Sequence, residues 1–219
     1  MTPEHLARLH PRLYHVTRAE AVDPIRREGL LSAEAICDRL GIVGEERERV
    51  LATRRPRAVV LEGGGERFVV NDNRPIVLGS LARALDDGLR PADWLRILNR
   101  KVFLWTRHDH ALRLAGALNN RAEGRVVLAF DTLSLARAHW GRMAASPINS
   151  GDTTRRPPRR GHHTFAALDG MDHARWRTAR RDRGLKRGLD AFKEIVVDHA
   201  VPDAAAHLVD VGPTAKRGG

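Results

Sequence analysis

The stretch that decides the fold is Leu13-Tyr14-His15-Val16-Thr17, together with the Gly29-Leu30 pair that follows one helical segment later. Residues 13–16 predict a short strand. The segment after them predicts a helix that Gly29 closes, because glycine adopts the left-handed conformation of a helix end most easily. Side chains two apart on a strand share a face, so His15 and Thr17 together offer a ring nitrogen and a hydroxyl to a ribose or an amide group.

The rest of the chain predicts helices mixed irregularly with strands. The helices are predicted over 18–28, 32–40, 45–51, 76–85, 91–98, 109–118 and 133–140, and the strands over 13–16, 57–61, 67–70, 102–105, 125–130, 195–197 and 208–211. The pattern lacks the steady strand-helix rhythm of a doubly wound sheet, so we expect an α+β fold. We predict one domain over residues 1–212 and a tail over 213–219.

Composition narrows the class of protein. The 219 residues are 42% hydrophobic and 30% charged, which is typical of a globular chain and not of a disordered one. The sequence has no apolar run near the roughly 20 residues that span a bilayer, no signal-peptide pattern and a single cysteine, so we expect no membrane partner and a cytoplasmic location. The net charge of +11 attracts polyanions, although an arginine-rich chain can also reflect genome composition.

Basic residues concentrate in a predicted insertion over about residues 150–189, where the regular pattern breaks down. Its candidates for contact with nucleic acid are Arg155, Arg156, Arg159, Arg160, Trp176 and Arg177. Arginines with a tryptophan among them suit phosphates and one stacked base. A solvated or disordered charged segment is the alternative.

Two further segments join the first in a recognisable order. They are Lys101-Val102-Phe103-Leu104-Trp105-Thr106-Arg107, and Glu194-Ile195-Val196-Val197 followed by Ala200-Val201-Pro202. With the opening strand, helix and Gly-Leu pair, they resemble the ADP-ribosyltransferase superfamily, and in particular its DarT-like branch, which modifies nucleic-acid bases. The matching segments cover about a quarter of the chain.

The resemblance implies an α+β fold in which two small β-sheets form a cleft for NAD, with helices on the flanks and no metal. It assigns NAD binding to Tyr14, His15, Thr17, Gly29, Leu30, Arg57 and Trp105, and catalysis to Glu194. The family also has an arginine that clamps the NAD phosphates, for which Arg54, Arg55 and Arg57 are candidates. Members of the branch often act as toxins or in phage defence, so an antitoxin protein is an implied partner.

The implied reaction is transfer of ADP-ribose from NAD to DNA or RNA with release of nicotinamide. A carboxylate stabilises the positive charge that develops when the nicotinamide–ribose bond breaks. A capping or surface-paired role for Glu194 stays open. Two other functions also stay open, an NAD-dependent RNA 2′-phosphotransferase and a non-catalytic nucleic-acid-binding module.

Other motifs predict less. Two pairs of histidines lack the ligand spacing of a zinc site. They are the pair in His108-Asp109-His110 and the pair His162-His163. The turn Ser146-Pro147-Ile148-Asn149-Ser150-Gly151 favours a structural role over ligand binding.

Overall fold

The computed structural model describes residues 1–117, 124–182 and 192–213. Its strands are β1 (Arg12–Arg18), β2 (Leu30–Leu31), β3 (Val59–Gly63), β4 (Glu66–Val70), β5 (Lys101–Trp105), β6 (Arg125–Asp131), β7 (Met143–Ser146), β8 (Ala166–Ala167), β9 (Glu194–Asp198), β10 (Ala200–Val201) and β11 (Leu208–Pro213). Its helices are α1 (Pro3–Leu9), α2 (Val22–Glu28), α3 (Ala33–Arg39), α4 (Gly44–Leu51), α5 (Leu78–Ala84), α6 (Pro91–Asn99), α7 (His108–Ala115), α8 (Thr132–His139), α9 (His173–Asp182) and α10 (Ala204–His207).

The predicted mixture of helices and strands is confirmed, and the strands of the main sheet are antiparallel. Each predicted helix and strand has a counterpart, usually with bounds shifted by one or two residues. The insertion is more regular than predicted, because it contains β8 and α9, while residues 183–189 lie outside the described residues. The strand β11 includes Pro213, which the sequence assigned to the tail, and residues 214–219 also lie outside the described part.

The main sheet has seven strands in the order β11-β6-β1-β5-β9-β7-β8, and neighbouring strands run antiparallel. Strands β1 and β6 pair over seven residues, and β5 and β9 pair over five. Between them, β1 and β5 are in register only at Tyr14 and Trp105. The sheet therefore opens into two halves. The resemblance implied two small sheets around the cleft, but this one pairing joins the halves into a single seven-stranded sheet.

Groups of buried apolar side chains support this arrangement. The largest packs the sheet against α1, α8 and the segment before β9, and includes Leu13, Leu104, Phe130 and Phe192. Two smaller clusters lie within residues 36–70 and 76–98, so this middle part of the chain has cores of its own. Among the described residues, no helix has the length and apolar character needed to cross a bilayer.

The turn after α2 contacts the chain that follows β9. Gly29 has φ of +83°, and a Cβ atom there would overlap the carbonyl oxygen of Val201 and lie 2.5 Å from the Cα of Pro202. The next residues form β2, which pairs antiparallel with β10. Glycine is required by both the backbone conformation and the close approach. This contact brings the N-terminal and C-terminal motifs together.

We therefore predict that Gly29→Ala lowers the free energy of unfolding by about 3 kcal/mol, because the strained backbone and the clash with Val201 add. The matched control is Gly41→Ala, where φ is +65° and no atom lies within 4 Å of the position that an added Cβ would occupy. It should cost only about 1 kcal/mol. Urea denaturation measures both variants, and equal costs would contradict the role of the contact.

Candidate functional site

A cleft of about 1260 Å³ lies where the two halves of the sheet separate. One half contributes His15 and Thr17 from β1, and the other contributes Trp105 from β5 and Glu194 from β9. Further walls come from residues 28–33 and 67–76 and from Asn149, Gly151, Asp152 and Thr154. The structure thus brings the N-terminal histidine and the C-terminal glutamate of the sequence motifs to one cavity.

His15 connects the two halves of the sheet. Its Nδ1 lies 2.9 Å from the backbone carbonyl oxygen of Phe103 on β5. A carbonyl oxygen only accepts hydrogen bonds, so Nδ1 carries the proton and Nε2 is left as an acceptor. Burial lowers the pKa of His15, the bond to Phe103 opposes this shift, and the nearby Arg125 lowers the pKa further. The ring is therefore neutral at pH 7.

Glu194 is a buried carboxylate with a defined set of donors. Its side chain is 3% exposed and accepts hydrogen bonds from the Ser150 hydroxyl at 2.7 Å and the Ser150 backbone N–H at 3.2 Å. Burial raises the pKa of Glu194 to about 7, although the Ser150 donors, Lys193 and Arg160 all act in the opposite direction. Both protonation states are thus populated near neutral pH.

A second layer of hydrogen bonds fixes Ser150. Its carbonyl oxygen accepts from the guanidinium of Arg160 at 2.8 Å and from the indole N–H of Trp94 at 3.4 Å. Arg160 also donates to the carbonyl oxygen of Asp152 at 3.2 Å. The sequence had given the Ser150 turn a structural role and missed its contact with Glu194, which no local pattern reveals.

The placement of Arg160 corrects the sequence prediction for that residue. We predicted contact with nucleic acid, but the side chain is completely buried and donates to backbone carbonyls. Burial lowers the pKa of Arg160 to about 10. It stabilises the loop behind Glu194 and offers no surface to a polyanion.

The other predicted nucleic-acid residues divide into two groups. Arg155, Arg156 and Arg159 are exposed, and Arg159 pairs with Asp86. Trp176 and Arg177 are half-buried. The Trp176 ring packs on Phe192, with 4.7 Å between centroids. This packing reduces the ring area that a base could stack on.

Most of the predicted NAD-binding residues meet in the cleft, since His15, Thr17, Gly29, Leu30 and Trp105 all line it. Two do not. Tyr14 packs against the ring of His108, with 5.0 Å between centroids, and Arg57 is exposed outside the lining.

Of the three arginines considered for the phosphate clamp, Arg55 lines the cleft. Its buried guanidinium donates to the carbonyl oxygen of Asn71 at 3.1 Å and to the side-chain oxygen of Asn99 at 2.8 Å. Burial lowers the pKa of Arg55 to about 10. Further basic side chains along the cleft are Arg18, Arg67, Arg74, Lys101, Arg113, Arg125 and Lys193. The acidic side chains along it are Glu20, Glu28, Asp72, Asp152 and Glu194, so basic side chains are in excess in the lining.

His139, Asp203 and His207 form a cluster outside the cleft lining, with ligand-type atoms within 4.8 Å of one another. Arg142 donates to Nδ1 of His139 at 2.7 Å, so Nε2 carries the proton and donates to Asp203, also at 2.7 Å. A metal-binding histidine needs the reverse arrangement, with its second nitrogen donating. The cluster therefore fits a hydrogen-bonded link between α8 and α10.

Comparison with known proteins places the sequence in a family. The chain belongs to a family of unknown function, DUF7002, whose model matches residues 11–208. No curated protein matches the sequence. Among solved structures, the chain is similar to Thermosipho africanus DarTG in complex with ADP-ribose, at 12% sequence identity and a TM-score of 0.41. That match covers 91% of this chain and 43% of the DarTG chain, so this chain spans less than half of its length.

The buried carboxyl group predicts a pH-dependent stability. The folded pKa of Glu194, about 7, lies above its ordinary value of 4.5. The proton is therefore bound more tightly in the folded state than in the unfolded state. Its contribution to the free energy of unfolding is present at low pH and is lost as the pH rises through 7. Replacing Glu194 with Gln removes the dependence. The variant should be more stable than the wild type by about 3 kcal/mol near pH 8.5 and similar near pH 5.

Urea denaturation at both pH values measures this difference. A constant difference between variant and wild type at the two pH values would show that Glu194 titrates normally.

Proposed function

We propose that this chain is an NAD-dependent ADP-ribosyltransferase that transfers ADP-ribose from NAD to a nucleic-acid acceptor and releases nicotinamide. The observation that carries the proposal is that His15 and Glu194 line one cleft, at the point where the sheet separates. Each belongs to a motif that the sequence relates to this superfamily. The residues around them are suited to both the binding and the chemistry.

His15 and Thr17 are placed to orient the co-substrate. The neutral His15 ring offers Nε2 to a ribose hydroxyl, because its Nδ1 is already bonded to Phe103. Thr17 adds a hydroxyl from the same strand, and Trp105 adds an aromatic surface on the opposite half of the sheet. The basic side chains along the cleft are suited to the two phosphates.

Glu194 supplies the charge that the reaction needs. NAD provides an ADP-ribosyl group attached to nicotinamide, which departs with the bonding electron pair. The ionised carboxylate stabilises the positive charge that develops at the ribose carbon, and it does so more strongly in a buried site than in water. Ser150 holds both the position and the ionised form of the carboxylate.

The exposed arginines favour a polyanionic acceptor. Arg155 and Arg156 follow directly after Thr154, which lines the cleft, and both are exposed. The net charge of +11 attracts nucleic acid, so binding should weaken steeply with added salt. An antitoxin protein that covers the exposed Arg155 and Arg156 is a compatible partner.

We predict that Glu194→Gln lowers the rate of nicotinamide release by about 10² to 10³, because the neutral amide no longer stabilises the developing charge. The affinity for NAD should stay within about threefold of the wild type, because the amide is similar in size and shape. Release is measured with purified protein, NAD and mixed nucleic acids.

Glu45→Gln is the matched control, because Glu45 is an exposed carboxylate outside the cleft lining. It should keep the wild-type rate. Full activity of the Glu194 variant would instead favour the 2′-phosphotransferase, which does not need the glutamate. No nicotinamide release and no NAD binding by the wild type would leave the nucleic-acid-binding module.

A second prediction concerns Ser150. The Ser150→Ala variant loses the hydroxyl that donates to Glu194, so the pKa of that carboxyl rises further. The rising limb of the pH–rate profile should move to higher pH by about one unit. Ser146→Ala is the control, because in the described part of the chain the Ser146 hydroxyl bonds to Ile148 in its own turn. An unchanged limb in the Ser150 variant would exclude Glu194 as the titrating group.

A further inference from the structure

The His108-Asp109-His110 motif, which does not form a zinc site by spacing, places one histidine in the cleft. His110 lines the cleft from the first turn of α7. Its ring makes an edge-to-face contact with Trp105, with 5.9 Å between centroids. Trp105 is the β5 residue in register with both Glu194 on β9 and Tyr14 on β1. His110 therefore packs against the β5 residue that pairs with Glu194.

The hydrogen-bonding capacity of His110 is unused within the described part of the chain. Neither ring nitrogen has a hydrogen-bond partner there, and Nδ1 is closed off from solvent. Buried polar atoms of a folded protein usually have partners. Since Nδ1 is closed off, Nε2 is the nitrogen that a molecule in the cleft can reach.

Burial, together with the cationic side chains nearby, keeps the His110 ring neutral. Its neighbour Asp109 is engaged by Arg107 at 2.9 Å and by Arg113 at 2.8 Å. Burial lowers the pKa of His110, Asp109 opposes this, and Arg113, Lys193 and Arg107 lower the pKa further. With its ring proton on Nδ1, the neutral imidazole has a free electron pair on Nε2 and can accept a proton there.

We propose that His110 is the general base that takes the proton from the nucleic-acid acceptor. This inference rests on the proposed function and divides its chemistry between two residues. Glu194, whose oxygens are already bonded to Ser150, stabilises the ribose side. His110, without such partners among the described residues, serves the acceptor side.

The step balances without a further reactant. A lone pair on the acceptor nitrogen or oxygen forms the bond to the ribose C1′. The bond from C1′ to nicotinamide breaks, and its electron pair leaves with nicotinamide. The acceptor's proton moves to Nε2 of His110, which later releases it to solvent.

The test replaces His110 with Phe, which keeps an aromatic ring against Trp105 but has no basic nitrogen. Transfer of labelled ADP-ribose to pooled random-sequence single-stranded DNA and RNA should fall about a hundredfold, a typical loss for a general base. Nicotinamide release by hydrolysis without nucleic acid, and NAD affinity measured by calorimetry, should stay within about threefold, since His110 serves the acceptor. The control His108→Phe changes an exposed histidine of the same helix that lies outside the cleft lining and should leave all three unchanged.

Chemical rescue distinguishes a base from a packing residue. In a His110→Ala variant, added imidazole should restore much of the transfer. In the Glu194→Gln variant, added imidazole should restore none of it. The inference is overturned if His110→Phe loses transfer and hydrolysis equally, if it loses neither, or if imidazole fails to rescue the alanine variant. If the His110→Phe variant does not fold, transfer by the His110→Ala variant is compared with and without imidazole, and rescue by imidazole supports the inference. A wild type that neither binds NAD nor releases nicotinamide contradicts the proposed function itself.

Discussion

The hydrogen bond from Nδ1 of His15 to the carbonyl oxygen of Phe103 is the interaction on which the site depends. The backbones of β1 and β5 pair only at Tyr14 and Trp105, so this side chain bridges the halves where the backbone does not. The bond also fixes the tautomer of the ring. One contact therefore joins the two walls of the cleft and presents an acceptor nitrogen inside it.

The walls of the cleft also depend on contacts between distant segments. Gly29 lets the turn after α2 approach Val201, and β2 then pairs with β10, which follows β9 closely. Across the cleft, the backbone N–H of Thr153 donates to the carbonyl of Pro75, at 2.9 Å, and its hydroxyl accepts from the N–H of Val77, at 2.7 Å. The loop that carries Ser150 is thus joined to the middle part of the chain. The position of Glu194 depends on this loop and on the middle part that supports it.

Local sequence rules predicted the elements better than the site. Gly29 closes α2, and the Ser32 hydroxyl caps α3 by accepting from the N–H of Ala35, at 3.1 Å, because these are contacts within a few residues. The helix α9 was missed, since its arginine-rich sequence has little apolar periodicity. Arg160 was misjudged because its burial depends on carbonyl groups of the loop that it closes. Ser150 and His110 became visible only when the sheet order placed them near Glu194 and Trp105.

The most direct measurement is a crystal structure of the Glu194→Gln variant with NAD, because the slowed reaction preserves the intact co-substrate. The account predicts that NAD lies in the cleft between β1 and β5, with a ribose hydroxyl bonded to Nε2 of His15 and residue 194 beside the nicotinamide ribose. NAD bound elsewhere on the protein, or a cleft that stays empty at saturating NAD, would contradict it.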